Sequence, residues 1–340
     1  MENKIVLPES AQAKYDNLRF PKIWHAVLGS ALMYVPVYAV VFLITLTLGV
    51  NYTSYFKTEF GADMFSAVLS QFFAVLIIPV FILLVSKRDI SATVRLKKNL
   101  NVIQILLLVV FSISAFLLLQ TINSFFIMWL SSFLGEPSDI SNITDASNIP
   151  QLLFEIVIVG GLPAICEELF FRGFVMRAFE RKSRVFAVLM SSFIFAVMHG
   201  NLQQLSYAFL CGIILGTVVM ITDSLLAGCM IHFTFNTLSV IISYPPISEI
   251  YTHYATNYVY IFSAVVMLVL PIIAVSSLVL FIMHSLKRNR NKYNCSVPTD
   301  LKYAHLMPLE KPWEKAIKSV SWIIFIGVNV LFMIANWYMV

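Results

Sequence analysis

The sequence predicts an all-α fold, a polytopic membrane helical bundle of about nine transmembrane helices with a four-helix core. Of the 340 residues, 59% are hydrophobic and only 12% are charged, whereas soluble domains carry about 25% charged residues. The mean hydropathy is +0.84. Apolar runs of about 20 residues, each long enough to cross about 30 Å of hydrocarbon, recur along the chain. The polypeptide is therefore expected to lie in a lipid bilayer.

About nine apolar segments, separated by short polar loops, are predicted to span the membrane. Pro163 is expected to kink the fourth helix or unwind a turn, and Asp223 is expected to cap the seventh. The polar stretch Lys287–Lys315 contains three prolines and is interpreted as a linker to a peripheral ninth helix. The approximate spans are Ala26–Val50, Met64–Val85, Val102–Leu130, Leu152–Phe171, Val185–His199, Leu205–Ile221, Leu225–Ser243, Tyr260–Met283 and Ile317–Ala335.

Lysine and arginine residues fall in alternate loops, which predicts the orientation of the chain. Basic clusters precede the first span and follow the second, fourth and eighth. In contrast, the loop Gly135–Pro150 is acidic and the loop Ser243–Asn257 has no Lys or Arg. Because basic loops remain in the cytoplasm, the amino terminus is expected to be cytoplasmic and the carboxyl terminus outside.

The composition also argues against other classes of protein. The net charge of +5 is modest, and the basic residues lie in loops beside the spans, so nucleic acid is not an expected partner. The four cysteines form no Cys-x-x-Cys pair, so neither a disulfide framework nor a thiolate zinc site is indicated.

Two adjacent glutamates and an arginine interrupt the fourth apolar segment. In a helix, Glu168 and Arg172 are four residues apart and share a face, so they are expected to form an ion pair. Glu167 points about 100° away and can face another helix, where a desolvated carboxylate suits general-base work on water. The alternative is a helix end that carries ordinary surface charges.

Two histidines and an asparagine follow in later spans. His232 and Asn236 share one helix face, where an imidazole and an amide can hold a water, bind a metal or donate to an oxyanion. At about 1.5 Å per residue, Glu167 and His199 both lie about 24 Å from the turn between their helices, but His232 lies about 12 Å from its own turn. A kink, a tilt or a re-entrant segment must remove this mismatch. The alternative for each histidine is a hydrogen-bonded packing residue.

The motifs Glu167-Glu168-xxx-Arg172, Phe195-xxx-His199 and His232-xxx-Asn236 resemble, in order and residue type, those of the CPBP family. This family, also called Abi, comprises CAAX proteases, including type II CAAX prenyl endopeptidases, and bacteriocin-processing enzymes. The resemblance covers about Leu152–Ser243, and every matched position carries the residue that the family has there. On this basis the chain is divided into three regions. Residues 1–150 comprise an amino-terminal cytoplasmic segment and three accessory helices, residues 151–245 the catalytic core, and residues 246–340 the eighth helix, the linker and the ninth helix.

The resemblance implies an intramembrane endopeptidase, a hydrolase that cleaves a peptide bond in a membrane-associated, lipidated or apolar peptide. It implies that Glu167 and His199 activate the attacking water, that His232 and Asn236 stabilise the oxyanion, and that the neighbouring ion pair holds its helix in place. The peptide or protein substrate is expected to enter from the membrane or the cytoplasm. A prokaryotic plasma membrane is the location that the family implies.

The requirement for a metal is left open by the sequence. Members of the family are often called metalloproteases, yet the chain has no HExxH signature. Zinc or another divalent ion would have to be held by Glu167, His199 and His232 from three helices. The favoured mechanism uses a glutamate-activated water without an obligatory metal or other cofactor.

Two other functions remain as alternatives to proteolysis. A regulator or scaffold that binds a sensor kinase or an immunity target would use the motif residues as polar contacts between helices. A proton-coupled transporter would use buried glutamate and histidine side chains as a relay.

Overall fold

The computed structural model describes residues 23–33, 35, 39–43, 58–77, 80–81, 84, 94–96, 100–137, 146–180, 183–292 and 312–338. The regular structure in these ranges is helical, which confirms the predicted all-α membrane bundle. Seven helices in this part of the chain are long and apolar enough to cross a membrane. The fifth predicted span corresponds to the shorter apolar helix Arg184–Met198, and much of the first, Ala26–Val50, lies outside the described residues. The total of about nine spans is not confirmed.

The helices are numbered in chain order. The first three are α1 (Ile23–Leu32), α2 (Glu59–Leu69 with the π-helical Ser70–Leu76) and α3 (Val102–Leu134). The predicted core contains α4 (Ile149–Phe179), α5 (Arg184–Met198), α6 (Leu202–Thr222) and α7 (Leu225–Ser243). The last three are α8 (Pro245–Asn257), α9 (Val259–Ala264, the π-helical Val265–Val269 and Leu270–Lys292) and α10 (Pro312–Tyr338).

Short polar residues set the ends of the core helices. Side-chain oxygens of Asn148, Ser183 and Asn201 accept hydrogen bonds from the first-turn N–H groups of α4, α5 and α6, which are the groups that lack a partner within a helix. The prediction that Asp223 caps α7 is wrong. Asp223 ends α6 in the left-handed conformation, with φ of 53°, and Ser224 precedes α7.

The helix α8 replaces a segment that the sequence analysis interpreted as a loop. Two prolines, Pro245 and Pro246, occupy its first turn. Proline is favourable there because its fixed φ suits a helix and its missing N–H has no helical partner to lose. The segment is therefore helical although it is more polar than the spans on either side.

The helix α4 changes its hydrogen-bonding pattern twice. It is π-helical at Ile156–Gly161 and again at Leu169–Val175, on either side of the α-helical Leu162–Glu168. Around Pro163 the chain thus remains helical, with a π-helical segment just before the proline. Because i→i+5 bonding places more residues in each turn, α4 advances less per residue than a regular helix. This removes part of the predicted difference in depth between the glutamates and His232.

The core helices approach one another closely at small residues. A Cβ atom on Gly212 of α6 would lie 2.8 Å from the Cβ atom of Ser192 on α5, so this contact requires glycine. In lipid, helix association depends on such close packing and on polar contacts, because the acyl chains are as apolar as the side chains. Three clusters of buried apolar side chains complete the packing: one around Phe170 and Phe195, one around Phe235, and a smaller one around Val240.

Arg95, which lies between α2 and α3, forms ion pairs with two other segments at one end of the bundle. Its side chain is 3% exposed, and its guanidinium donates to Glu180 at 2.7 Å and to Asp223 at 2.8 Å. Burial lowers the pKa of Arg95, but the two carboxylates outweigh it and the pKa is raised. The backbone oxygen of Arg95 also accepts from the N–H of Leu225. Arg95 therefore connects the end of α4 with the turn between α6 and α7.

The last helix, α10, packs against the core. Its Phe325 and Met333 belong to the same apolar cluster as Phe195. The Nδ2 of Asn336 donates to the backbone oxygen of Gly200 at 2.8 Å, one residue after His199. The ninth predicted span, interpreted as peripheral, thus contacts the turn beside a candidate site residue. Most of the linker that precedes it lies outside the described residues.

Candidate active site

The predicted ion pair between Glu168 and Arg172 is present and lies inside the bundle. Both side chains are 0% exposed, and Nη1 of Arg172 donates to Oε1 of Glu168 at 2.6 Å. The Nη2 atom donates to the backbone oxygen of Gly212 at 3.2 Å. The guanidinium carbon also lies 4.6 Å from the centre of the Phe195 ring, a favourable cation–π distance. The arginine thereby connects α4 to α5 and α6.

A glycine on α7 makes room for the Glu168 carboxylate. A Cβ atom built on Gly228 would lie 2.6 Å from Oε2 of Glu168, closer than a real side chain could come. The two helices therefore approach at this point only because residue 228 has no side chain. The contact brings the next turn of α7, which carries His232, against the glutamates.

The imidazole of His232 lies between the two glutamates. Its Nδ1 is 3.1 Å from Oε1 of Glu168, and its Nε2 is 3.8 Å from Oε2 of Glu167. Because a carboxylate only accepts hydrogen bonds, Nδ1 carries a hydrogen and donates it to Glu168. Glu168 thus has a second partner besides Arg172, one that its position in the sequence does not reveal.

Glu167 occupies a different environment from its neighbour. Its side chain is 15% exposed, in agreement with its predicted direction away from Glu168. Its Oε1 accepts a hydrogen bond of 2.9 Å from Nε2 of Gln71 on α2. The sequence analysis missed Gln71, because it belongs to no motif and lies in a predicted accessory span. The only signal was an amide side chain within an otherwise apolar stretch of α2.

His199 and His232 both contact the ring of Phe195. The Phe195 ring centre is 4.8 Å from that of His199 and 5.8 Å from that of His232, and both contacts are edge-on. The Nδ1 of His199 donates to the backbone oxygen of Phe195 at 2.8 Å, which leaves Nε2 with a lone pair. Among the described residues, Gln71 and His232 are the hydrogen-bonding or ion-pairing neighbours of the Glu167 carboxylate; His199 is not.

Asn236 lies one turn beyond His232 and contacts α4. Its Nδ2 donates to the backbone oxygen of Val159 at 3.3 Å. An amide nitrogen carries two hydrogens, so this bond orients the group and leaves a second N–H for another acceptor. The structure therefore brings Glu167, Glu168 and His232 into direct contact, with Asn236 a turn away.

The candidate ligands do not converge as a metal site requires. Within the described ranges, no three His, Cys, Asp or Glu side chains form a group that could hold a metal ion. The local geometry gives the reason. His232 directs its two nitrogens to opposite sides, toward different glutamates, and the charge of Glu168 is already paired with Arg172 at 2.6 Å. Zinc needs ligands at about 2.0–2.2 Å from one point.

A comparison with protein families identifies the region that contains this cluster. Residues 149–238 match the family described as Type II CAAX prenyl endopeptidase Rce1-like. The matched segment includes all three motifs that the sequence analysis singled out, and it confirms the resemblance drawn from them. No curated protein and no solved structure matches the chain significantly.

Proposed function

Because residues 149–238 match the Rce1-like CAAX prenyl endopeptidase family, which indicates a membrane protease, we propose that the chain hydrolyses a peptide bond next to a lipidated or strongly apolar segment of its substrate. The observation that carries the proposal is the contact of Nε2 of His232 with Glu167, at 3.8 Å, inside a helical bundle. An ionisable group in a membrane span is costly and is by default a candidate for function. Here two carboxylates, an imidazole and a guanidinium meet.

In the proposed reaction, Glu167 acts as the general base. Its carboxylate takes a proton from water while the water oxygen bonds to the carbonyl carbon of the scissile peptide. The Nε2 lone pair of His199 is a second acceptor for this proton. Collapse of the tetrahedral intermediate breaks the C–N bond, and the proton passes to the departing amine. The products are a carboxylate and an amine, so no external oxidant or reductant is needed.

The negative oxygen of the intermediate is assigned to His232 and Asn236. The second N–H of the Asn236 carboxamide supplies one donor. The imidazole supplies the other from Nε2 when its ring carries both protons, since Nδ1 already donates to Glu168. Donors that are held in place before the reaction stabilise the developing charge without reorganisation. Glu168 and Arg172 hold this arrangement together and do not touch the substrate.

The mechanism is proposed without a metal, because His232 directs its two nitrogens toward different glutamates and the charge of Glu168 is paired with Arg172. We also propose that the enzyme lies in a prokaryotic plasma membrane with its amino terminus in the cytoplasm. The cluster around Arg95 supports the second point, since Arg95 and Arg177 both pair with Glu180 at one end of the bundle, and basic residues at the ends of spans favour the cytoplasmic side.

The test compares wild type with Glu167→Ala and His199→Ala. Glu249→Ala and His253→Ala are matched controls, because both residues are exposed on α8. The probe is a quenched fluorescent peptide that carries a farnesylated cysteine followed by three residues, and membrane proteomics records precursors that accumulate in cells. Both site variants are expected to lose cleavage and to accumulate the same precursors, while both controls behave as wild type. Full activity of the site variants would overturn the chemistry.

A non-proteolytic regulator is the second candidate, and one observation favours it. The bond from Asn236 to Val159 is a polar contact between two helices. A motif residue whose role is only structural would be expected to make such a contact. A Glu167→Gln variant that complements a deletion strain would support this function, since the amide retains the shape of the side chain but cannot act as a base.

A further inference from the structure

Gln71 reaches the candidate active site from outside the region that matches the family. It lies on α2, about 80 residues before the matched segment begins at residue 149. Its Nε2 donates to Oε1 of Glu167 at 2.9 Å. The opposite oxygen of the same carboxylate, Oε2, is the one that lies 3.8 Å from Nε2 of His232. The two oxygens of Glu167 are thus directed to side chains on two different helices.

The backbone around Gln71 fits a role at the site. Gln71 is the second residue of the π-helical segment Ser70–Leu76, and π-helical turns occur frequently at functional sites because they redirect side chains. Ala74 and Val75 of this segment are buried in the same apolar cluster as Cys166 on α4. The segment is therefore packed against the helix turn that carries Glu167, and the amide is held at a fixed distance from the carboxylate.

The amide is not placed there for stability alone. Its Oε1 atom is buried and has no hydrogen-bond partner within the described part of the chain. A buried amide oxygen without a partner is destabilising, and an apolar side chain of the same length would avoid that cost. The hydrogen bond from Nε2 to Glu167 is the gain that glutamine provides at this position.

We propose that Gln71 is a positioning residue that orients the Glu167 carboxylate toward the substrate and His232. This inference rests on the proposed function, because it assumes that Glu167 is the base. Without the amide, the carboxylate can rotate about its terminal bonds, and a displacement of about 1 Å at a reacting group can reduce the rate about 100-fold. Gln71 does not itself take part in proton transfer.

The experiment uses the full-length protein with Gln71→Met, which removes the amide and retains the length of the side chain. Ser70→Ala is the matched control, because the neighbouring Ser70 hydroxyl donates to Ala67 of its own helix and not to the site. The rate of cleavage of the farnesylated peptide gives kcat and KM, and thermal unfolding in detergent gives stability. The precursors that accumulate in Glu167→Ala membranes provide a second readout that does not depend on the choice of peptide.

Gln71→Met is expected to lower kcat about 10- to 100-fold, with KM within about twofold of wild type and with an unchanged or higher unfolding temperature. Ser70→Ala is expected to resemble wild type in all three. If Gln71→Met unfolds at a lower temperature and loses activity only in proportion to the unfolded fraction, Gln71 is structural and the proposal fails.

The two proposals fail in different ways. If Glu167→Ala abolishes cleavage while Gln71→Met has wild-type kinetics, Glu167 is essential but Gln71 does not position it. If Glu167→Ala retains activity, the proposed function fails whatever Gln71→Met does.

Discussion

The carboxamide of Asn236 donates to the backbone oxygen of Val159, which would have no N–H partner in a regular α-helix. That oxygen would accept from the N–H of residue 163, and proline has none. In the structure Val159 belongs to the π-helical Ile156–Gly161, so Asn236 binds α4 where the proline interrupts the α-helical hydrogen-bonding pattern. The proline and the asparagine are 73 residues apart in the sequence, but they belong to one hydrogen-bonding arrangement.

Pro163→Ala is therefore expected to reduce activity although residue 163 does not belong to the site. The new N–H can bond to Val159 and weaken the contact that orients Asn236. The loss of one hydrogen bond is worth about 1 kcal/mol, or about a fivefold reduction of kcat. The unfolding temperature is expected to stay the same or rise, because alanine is the better helix former. Pro271→Ala on α9 is the control, and equal activity of the two variants would contradict the idea.

Gly228→Ala is expected to destabilise the protein. The added methyl group would lie 2.6 Å from Oε2 of Glu168, so α7 must move away or the ion pair must shift, at about 1–3 kcal/mol. Gly327→Ala on α10 is the matched control, because no atom lies within 4 Å of its added methyl group and the change favours the helix by about 0.5–1 kcal/mol. Thermal unfolding in detergent measures both. A Gly228→Ala protein as stable as wild type would show that the packing is looser than described.

The two acidic partners of Arg95 are expected to contribute unequally to stability. Glu180 is 6% exposed and also accepts from Arg177, whereas Asp223 is 47% exposed. Removing a buried partner leaves an uncompensated charge and costs about 3–5 kcal/mol, while an exposed pair is worth about 0–1 kcal/mol. Glu180→Gln should therefore lower the denaturation midpoint much more than Asp223→Asn does. Equal effects would contradict the argument that the difference in burial makes Glu180 the more important partner of Arg95.

Removal of divalent metal is expected to leave the activity unchanged. His232 directs its two nitrogens toward different glutamates, with Nε2 3.8 Å from Glu167 and Nδ1 donating to Glu168, and the charge of Glu168 is paired with Arg172. Purified enzyme is treated with a chelator and assayed on the farnesylated peptide, with metal analysis of the same sample. A loss of cleavage that stoichiometric zinc restores would show that the ligands rearrange around an ion and that the proposed water activation is incomplete.

The parts of the site that the sequence predicts correctly are those encoded within one helix. Glu168 and Arg172 are four residues apart, so their ion pair follows from the helical repeat. The contact of His232 with both glutamates does not follow, because it depends on two π-helical segments and on the absence of a side chain at residue 228. Gln71 was missed for a similar reason: its partner comes from another helix, and no motif marks it.

The fold was predicted in outline for the same physical reason. Long apolar runs determine that a segment is helical, and caps such as Asn148 and Ser183 determine where it begins. Apolar length alone does not determine whether a helix spans the bilayer, and the fifth predicted span is a 15-residue helix, Arg184–Met198. The helix α8 was missed because its composition is that of a loop.

The position of Glu168 and Arg172 on a single helix also bears on how the protein is made. A lone glutamate or arginine near the middle of a nascent span raises the free energy of insertion by about 2.5–3.5 kcal/mol. Here the two opposite charges are four residues apart on α4, so they can pair within that helix without a partner from another one. This pair can therefore enter the bilayer without a net charge of its own. Its later neighbours, among them Phe195 and Gly212, then enclose a pair that has already formed.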